Sequence, residues 1–213
     1  MNTEELMRRL TARVMEKIKE FDRLKVPIGV SNRHVHVTKQ DLETLYVPGY
    51  ELTCKKKLGQ PGQFAANETV TLRGPKGEFK RVRILGPLRD KSQVEISKTD
   101  AFRLGVKSPV RESGHLEGTP GIEMVGPKGI VKMDSGTIVA LRHIHMTPQQ
   151  AADAGVKNGD VIDVETFGER AGVLGNVVIR VSPKFDLEMH IDLDEANACS
   201  LSNKDYVVIK PQN

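Results

Sequence analysis

Arg33-His34-Val35-His36-Val37-Thr38 returns as Arg142-His143-Ile144-His145-Met146-Thr147, and the two hexapeptides hold four of the six histidines. The β-branched residues Val35, Val37 and Ile144 favour a strand over a helix. In a strand, side chains at i and i+2 share a face, so each copy presents two imidazoles side by side. Two such pairs point to two metal sites, or to one site built from both halves of the chain.

Short runs rich in Val and Ile surround both copies, at 28–30, 69–72, 81–85, 93–96, 129–131, 137–141, 161–164, 176–181 and 206–209. Turn signals such as Gly74-Pro75-Lys76-Gly77 and Lys157-Asn158-Gly159-Asp160 separate many of them. Short helices fit 39–45, 99–104, 148–154 and 194–198. The pattern predicts a mainly β chain: two small β-barrels capped by short helices. Aromatics make up only 4% and Trp is absent, so Val, Ile and Leu must fill the cores. The stretch 46–67, with Pro, Gly and a Lys run, reads as a loop or helical insertion, and 108–123 is turn-rich. Residues 101–107 echo 151–157, a short helix closed by Gly, but out of phase with the hexapeptides. That marks shared local architecture rather than proof of duplication.

Residues 3–24 read as an N-terminal amphipathic helix, with Leu6, Leu10, Val14, Ile18 and Phe21 at helical spacing. Asn2 and Glu5 resemble a capping box, and Pro27 stops the pattern. The helix either packs on its own domain or another subunit, or docks and targets.

The net charge of +4, without a basic run interleaved with aromatics, gives no case for nucleic acid. Cys54 and Cys199 lie far apart, which fits a reducing, cytoplasmic setting better than a disulfide framework. No apolar signal segment and no stretch approaching ~18 apolar residues is present, so neither secretion nor a membrane span is expected.

Imidazole pairs suit zinc and similar metals, and a catalytic zinc needs about three protein ligands. His190, in the alternating run 187–192, is a good third ligand, whereas His115 lies in a loop and suits the surface. Glu95, inside Val94-Glu95-Ile96, needs a charge partner or a metal. Arg83 and Arg89 suit bidentate binding of phosphate, and Asn197 could cap a helix or bind a ligand. No Walker loop, GxSxG elbow or dinucleotide fingerprint occurs.

Taken together, 29–36, Gln60-Pro61-Gly62-Gln63, 85–89, 93–97, 142–146 and 188–192 resemble the PduL-type phosphate propanoyltransferases, the phosphotransacylases of bacterial microcompartments. The resemblance runs from about 26 to 210 with the motifs in family order. It implies reversible conversion of acyl-CoA and phosphate into acyl phosphate and CoA, with propanoyl-CoA or acetyl-CoA as donor. It also implies two zinc ions, one on His34, His36 and Glu95, the other on His143, His145 and His190. Arg89 would bind phosphate, and Val30, Ser31, Asn32, Lys76, Arg83 and Asn197 would contact coenzyme A. Residues 25–32 and 141–213 would form the first, discontinuous barrel, and 33–140 the second. Residues 1–24 would be an encapsulation segment meeting shell or core proteins of a microcompartment in propanediol degradation. A homo-oligomer is compatible with this picture.

Two rivals stay open. A zinc hydrolase would attack a thioester or phosphate with metal-bound water and release free acid without phosphate. A non-enzymatic metal-binding barrel would hold metal tightly and transfer nothing.

Overall fold

The computed structural model describes residues 3–203 and 205–210. Asn2 of the expected capping box and the side chain of Phe21 lie outside the described residues. The chain runs α1 (Thr3–Arg23), β1 (Lys25–Ser31), β2 (His34–His36), α2 (Lys39–Leu45), β3 (Cys54–Lys57), β4 (Phe64–Arg73), β5 (Glu78–Gly86), β6 (Gln93–Glu95) and α3 (Lys98–Leu104). It continues through β7 (Val110–Arg111), β8 (Glu123–Val125), β9 (Ile130–Lys132), β10 (Thr137–Ala140), β11 (His143–Met146) and α4 (Pro148–Ala154). The last elements are β12 (Val161–Glu165), β13 (Val173–Val181), β14 (Glu188–Asp192), α5 (Leu193–Cys199) and β15 (Tyr206–Ile209).

Six strands close a barrel in the order β1-β14-β11-β13-β12-β15, around Val26, Ile144, Val164, Ile179, Met189 and Val207. The others form a second curved sheet, β7-β10-β6-β2-β5-β4-β8-β9, over a separate core that includes Val35, Leu42, Leu72, Ile84, Val94 and Met124. The mainly β architecture follows from the period-2 burial of these runs: in β12, Ile162 and Val164 are buried while Val161 is exposed. The second sheet is a half-barrel: the barrel closes through the β1–β15 pair, and β10 and β8 make no such pair.

Strand for strand, the two units repeat. In the barrel, β1 and β14 are parallel, β14 and β11 antiparallel, β11 and β13 parallel, and β13 and β12 antiparallel. In the second sheet β10 and β6, β6 and β2, β2 and β5, and β5 and β4 follow the same alternation. Each unit therefore borrows its first strand across the chain. The chain leaves the barrel between β1 and β2, at Arg33, and returns between β10 and β11, at Arg142. The matching helices are α2 with α4 and α3 with α5. The echo of 101–107 in 151–157 instead reflects a shared ending. Gly105 and Gly155 both sit in the left-handed region, and Val106 and Val156 donate to Ala101 and Ala151.

The expected short helices are present, each starting or ending within one residue of its predicted span. The stretch 46–67 holds β3, which pairs with β4. All four β3 residues are exposed, so no alternation betrays the strand. The last residue of each hexapeptide caps the next helix: Thr38 Oγ1 accepts from the Asp41 amide at 3.0 Å, and Thr147 Oγ1 from the Gln150 amide at 3.3 Å. Helix α1 makes its substantial contact with α4, and Leu6, Leu10, Val14 and Ile18 remain exposed. No helix among the described residues is long and apolar enough to cross a membrane.

Candidate active site

Register brings the ligand sets together. His34 pairs directly with Glu95 across β2–β6, and His143 with His190 across β11–β14. The non-adjacent member of each set is thus placed opposite the first histidine of its hexapeptide. His36 and His145 follow on the same face two residues later. The results are two clusters, His34–His36–Glu95 and His143–His145–His190, whose ligand atoms lie within 4.8 Å of one another in each.

His34 Nδ1 lies 2.8 Å from the Asn32 carbonyl, and His143 Nδ1 lies 2.8 Å from the Leu141 carbonyl. A ring N–H donated there orients each imidazole with its Nε2 toward the site. Nε2 of His34 is 3.4 Å from Glu95 Oε2, and Nε2 of His36 is 3.8 Å from Glu95 Oε1. In the second cluster the Nε2 atoms of His143 and His145 are 3.0 Å apart. Among the described residues, the buried Nδ1 atoms of His36 and His145 have no hydrogen-bond partner.

Burial sets the protonation states. It pushes His36 down to about 3, reinforced by the neighbouring His34 charge. Burial with the His190 charge takes His143 to about 4, and burial with both neighbouring imidazoles takes His145 to about 2. His34 is the exception: burial lowers it, but the Glu95 carboxylate outweighs burial and raises its pKa. Glu95 goes the opposite way: burial raises it, yet His34 and His36 hold it well below the carboxylate range. The buried neutral imidazoles of His36, His143 and His145, beside the ionised Glu95, form a donor set suited to divalent metals.

Both clusters line one cleft of about 580 Å³ between the barrel and the second sheet. Arg89 and Arg180 reach it too, and burial, together with the nearby Arg180 charge, lowers the Arg89 pKa. Arg89 Nη1 donates to Ser113 Oγ at 3.1 Å, and Ser113 Oγ donates to Glu95 Oε1 at 3.1 Å. Gln93 Nε2 adds bonds to Ser113 Oγ at 2.8 Å and to Glu95 Oε1 at 2.5 Å. A chain of contacts therefore ties the arginine to the first cluster.

The other sequence-predicted residues distribute as follows. Val30 and Ser31 line the cleft, and Ser31 and Asn32 line a small adjoining cavity behind both clusters. Arg83 donates to the Ala66 and Asn67 carbonyls, both at 2.9 Å, and Asn197, on α5, accepts from Arg170 at 3.2 Å. Neither reaches the cleft wall. Lys76 is also absent from the cleft wall; it packs on Gly105 and Phe102 at the end of α3. His115 is exposed in its loop.

Several residues escaped sequence reasoning: Lys56 and Lys57 on β3, Gln60, Ser113, Arg180, Phe185 and Glu188 line the cleft, and Gln93 supports Ser113 and Glu95. Gln60 and Gln93 stand inside motifs noted above, and each is a buried polar residue. Glu188 sits two residues before His190 on the same strand face and accepts from His190 Nε2 at 2.7 Å and Gln60 Nε2 at 3.3 Å. That strand alternation could have flagged it.

Residues 27–202 match the phosphate propanoyltransferase family. A phosphate propanoyltransferase of Rhodopseudomonas palustris is 55% identical over 88% of this chain and 83% of its own length. One from Thermotoga maritima is 54% identical over 94% of this chain and 98% of its own, and one from Salmonella typhimurium 52% over 91% and 92%. A match of this extent and identity decides the family: the chain belongs to the phosphate propanoyltransferases, a family of transferases.

Proposed function

We propose that the cleft catalyses reversible transfer of a propanoyl or acetyl group between the thiol of coenzyme A and inorganic phosphate. The observation that carries this reading is the meeting of two ligand clusters and two arginines in one cavity. His34, His36 and Glu95 would hold one zinc ion, and His143, His145 and His190 the other. Bound there, zinc supplies Lewis-acid chemistry that lowers the pKa of a thiol and offsets negative charge on phosphate and carbonyl oxygens. Neutral rings at His36, His143 and His145 and an ionised Glu95 fit that role at neutral pH.

In the forward direction a phosphate oxygen attacks the thioester carbonyl, the C–O bond forms and the C–S bond breaks. The proton carried by hydrogen phosphate ends on the departing sulfur, giving acyl phosphate and free CoA thiol. Arg89 binds phosphate bidentately, as guanidinium geometry favours, and Ser113 sets the guanidinium angle. Arg180 adds positive charge across the cleft. Holding both reactants in line is worth up to ~7–11 kcal/mol of the activation barrier in favourable cases. Val30 and Ser31, at the end of β1 in the cleft, and Asn32, in the cavity beside it, would meet the thiol arm of CoA. Arg83 and Asn197 would contact its outer parts, and Lys56 and Lys57 suit its phosphates better than Lys76 does.

Direct transfer is favoured over an acyl-enzyme. Cys199 is buried in the barrel core, Cys54 is exposed on β3, and neither lines the cleft. The Ser113 hydroxyl is engaged by Arg89, Gln93 and Glu95 and has no histidine base bonded to it. The test is single-turnover reaction with labelled propanoyl-CoA. Label should reach phosphate without residing on protein, and a trapped acyl-protein would reject direct transfer. For α1, the exposed Leu6, Leu10, Val14 and Ile18 support docking to shell or core proteins of a bacterial microcompartment. Deletion of residues 1–24 should abolish co-sedimentation with microcompartments while the soluble enzyme keeps its activity.

A further inference from the structure

The arginine that opens each hexapeptide pairs with a carboxylate at the start of a helix. Arg33 Nε and Nη2 donate to Asp100 Oδ2 and Oδ1 at 3.0 and 2.8 Å, a bidentate pair in which the Asp100 side chain is 4% exposed. Arg142 Nε lies 2.7 Å from Glu195 Oε1. These two acids occupy equivalent places. Asp100 follows Glu95 by five residues, and Glu195 follows His190 by five residues. Between them stand the N-caps, Ser97 of α3 and Asp192 of α5, two residues after each ligand. Asp100 and Glu195 are the N3 residues of those capping boxes, so each acid is fixed at the strand–helix corner that follows a ligand.

The arginine is equally fixed, by the histidine next to it. Arg33 precedes His34, whose strand partner is Glu95, and Arg142 precedes His143, whose strand partner is His190. Each ion pair therefore closes a loop: hexapeptide to ligand strand, ligand strand to helix, helix back to hexapeptide. Strands β2 and β6 have three residues each, which gives few ladder bonds to hold their register. A one-residue slip would turn Glu95 away from the imidazoles. We infer that Arg33 and Arg142 are positioning residues, each a latch that holds the third ligand of its own cluster opposite the HxH pair. This inference rests on the reading of the clusters as metal centres.

The latches are separate in space and sequence, so their loss should be separable. In a His145→Ala background only the first cluster is complete, and in a His36→Ala background only the second. Zinc affinity is measured in each background by competition with a chromophoric chelator, beside the thermal transition of the metal-free protein. Arg33→Ala and Asp100→Asn should each weaken the first centre ~10–100-fold, the usual cost of removing an outer partner of a metal ligand. The double variant should cost no more than either single change, because one interaction is lost. Arg33→Lys keeps the charge, loses the fork and should restore only part of the affinity. It and Asp100→Asn carry the test if Arg33→Ala fails to fold. Arg142→Ala should leave the first centre unchanged and weaken the second.

Equal affinities in Arg33→Ala and its parent would overturn the latch while leaving the metal reading intact. So would equal loss at both centres from either arginine, which marks a general structural role. A parent that takes up no zinc overturns the metal reading, and the latch with it.

Discussion

Replacing Gly29 by alanine should damage the second cluster without unfolding the barrel. Gly29 lies on β1 directly beside His190 of β14. A Cβ built there falls 2.7 Å from Glu188 Oε1 and 3.1 Å from His190 Cδ2. The Glu188 carboxylate is also close to Gly59, where a built Cβ would fall 2.5 Å from Oε2, so its room to move is narrow. The methyl group must therefore break or bend the 2.7 Å bond from His190 Nε2 to Glu188 and crowd the imidazole. A hydrogen bond to a charged partner is worth ~1.5–3 kcal/mol, or roughly 10–150-fold in an equilibrium constant. Gly29 does not have a positive φ, so alanine suits its backbone and should even stabilise the chain by up to ~1 kcal/mol through the unfolded state. The expected signature is a split: zinc affinity of the His143–His145–His190 cluster falls by one to two orders of magnitude while the melting temperature of metal-free protein holds. Chelator competition and calorimetry on the same sample read both. Unchanged zinc affinity, or a loss of affinity that merely tracks a loss of stability, would refute the reasoning.

Ser113→Ala removes the acceptor of Arg89 and one donor to Glu95. The KM for phosphate should rise roughly tenfold with a smaller change for the thioester, and unchanged phosphate kinetics would detach Ser113 from Arg89. Metal-free protein should lose stability as pH falls below about 6.5. His36 at about 3, His143 at about 4 and His145 at about 2 stay neutral in the fold, while the unfolded chain takes up protons near its ordinary ~6.5. His34, with its raised pKa, opposes this by stabilising the fold at low pH, but one group works against three. His143 alone contributes a loss of roughly 3 kcal/mol toward pH 4, so a melting temperature flat between pH 6.5 and 4 would contradict these assignments. Deleting residues 1–23 should leave the melting temperature within a few degrees, since the exposed apolar face of α1 adds little to either core; a large drop would make α1 part of the fold.

Much of this molecule is legible in the HxH repeats. Alternation around Val35 and Ile144 announces strands, and both residues are fully buried. Glu95 stands out as a carboxylate between Val94 and Ile96, and the structure sets it against two imidazoles. The repeat itself is less legible. The matching elements α3 and α5 share little sequence, whereas α3 and α4 share a Schellman ending that falls in a different place in each unit. Chain endings set by backbone geometry recur wherever a short helix meets a strand, so they do not track ancestry or position. Residues placed by tertiary closure were hidden. Lys56 and Lys57 reach the cleft only because β3 folds along the edge of β4, and an all-exposed strand has no hydrophobic period to reveal it. Ser113 and Phe185 come from loops whose path no local pattern dictates. The open edge of the second sheet is likewise a matter of which distant strands pair, not of any one strand's composition.

The most direct measurement is thiol release from propanoyl-CoA by metal-analysed protein, with and without phosphate, compared with Glu95→Gln and His145→Ala. The account predicts two zinc ions per chain, thiol release strictly dependent on phosphate with propanoyl phosphate as the product, and loss of one zinc and of turnover in each variant. Thiol release that proceeds without phosphate to give free acid, or full turnover in a variant that has lost its zinc, would contradict it.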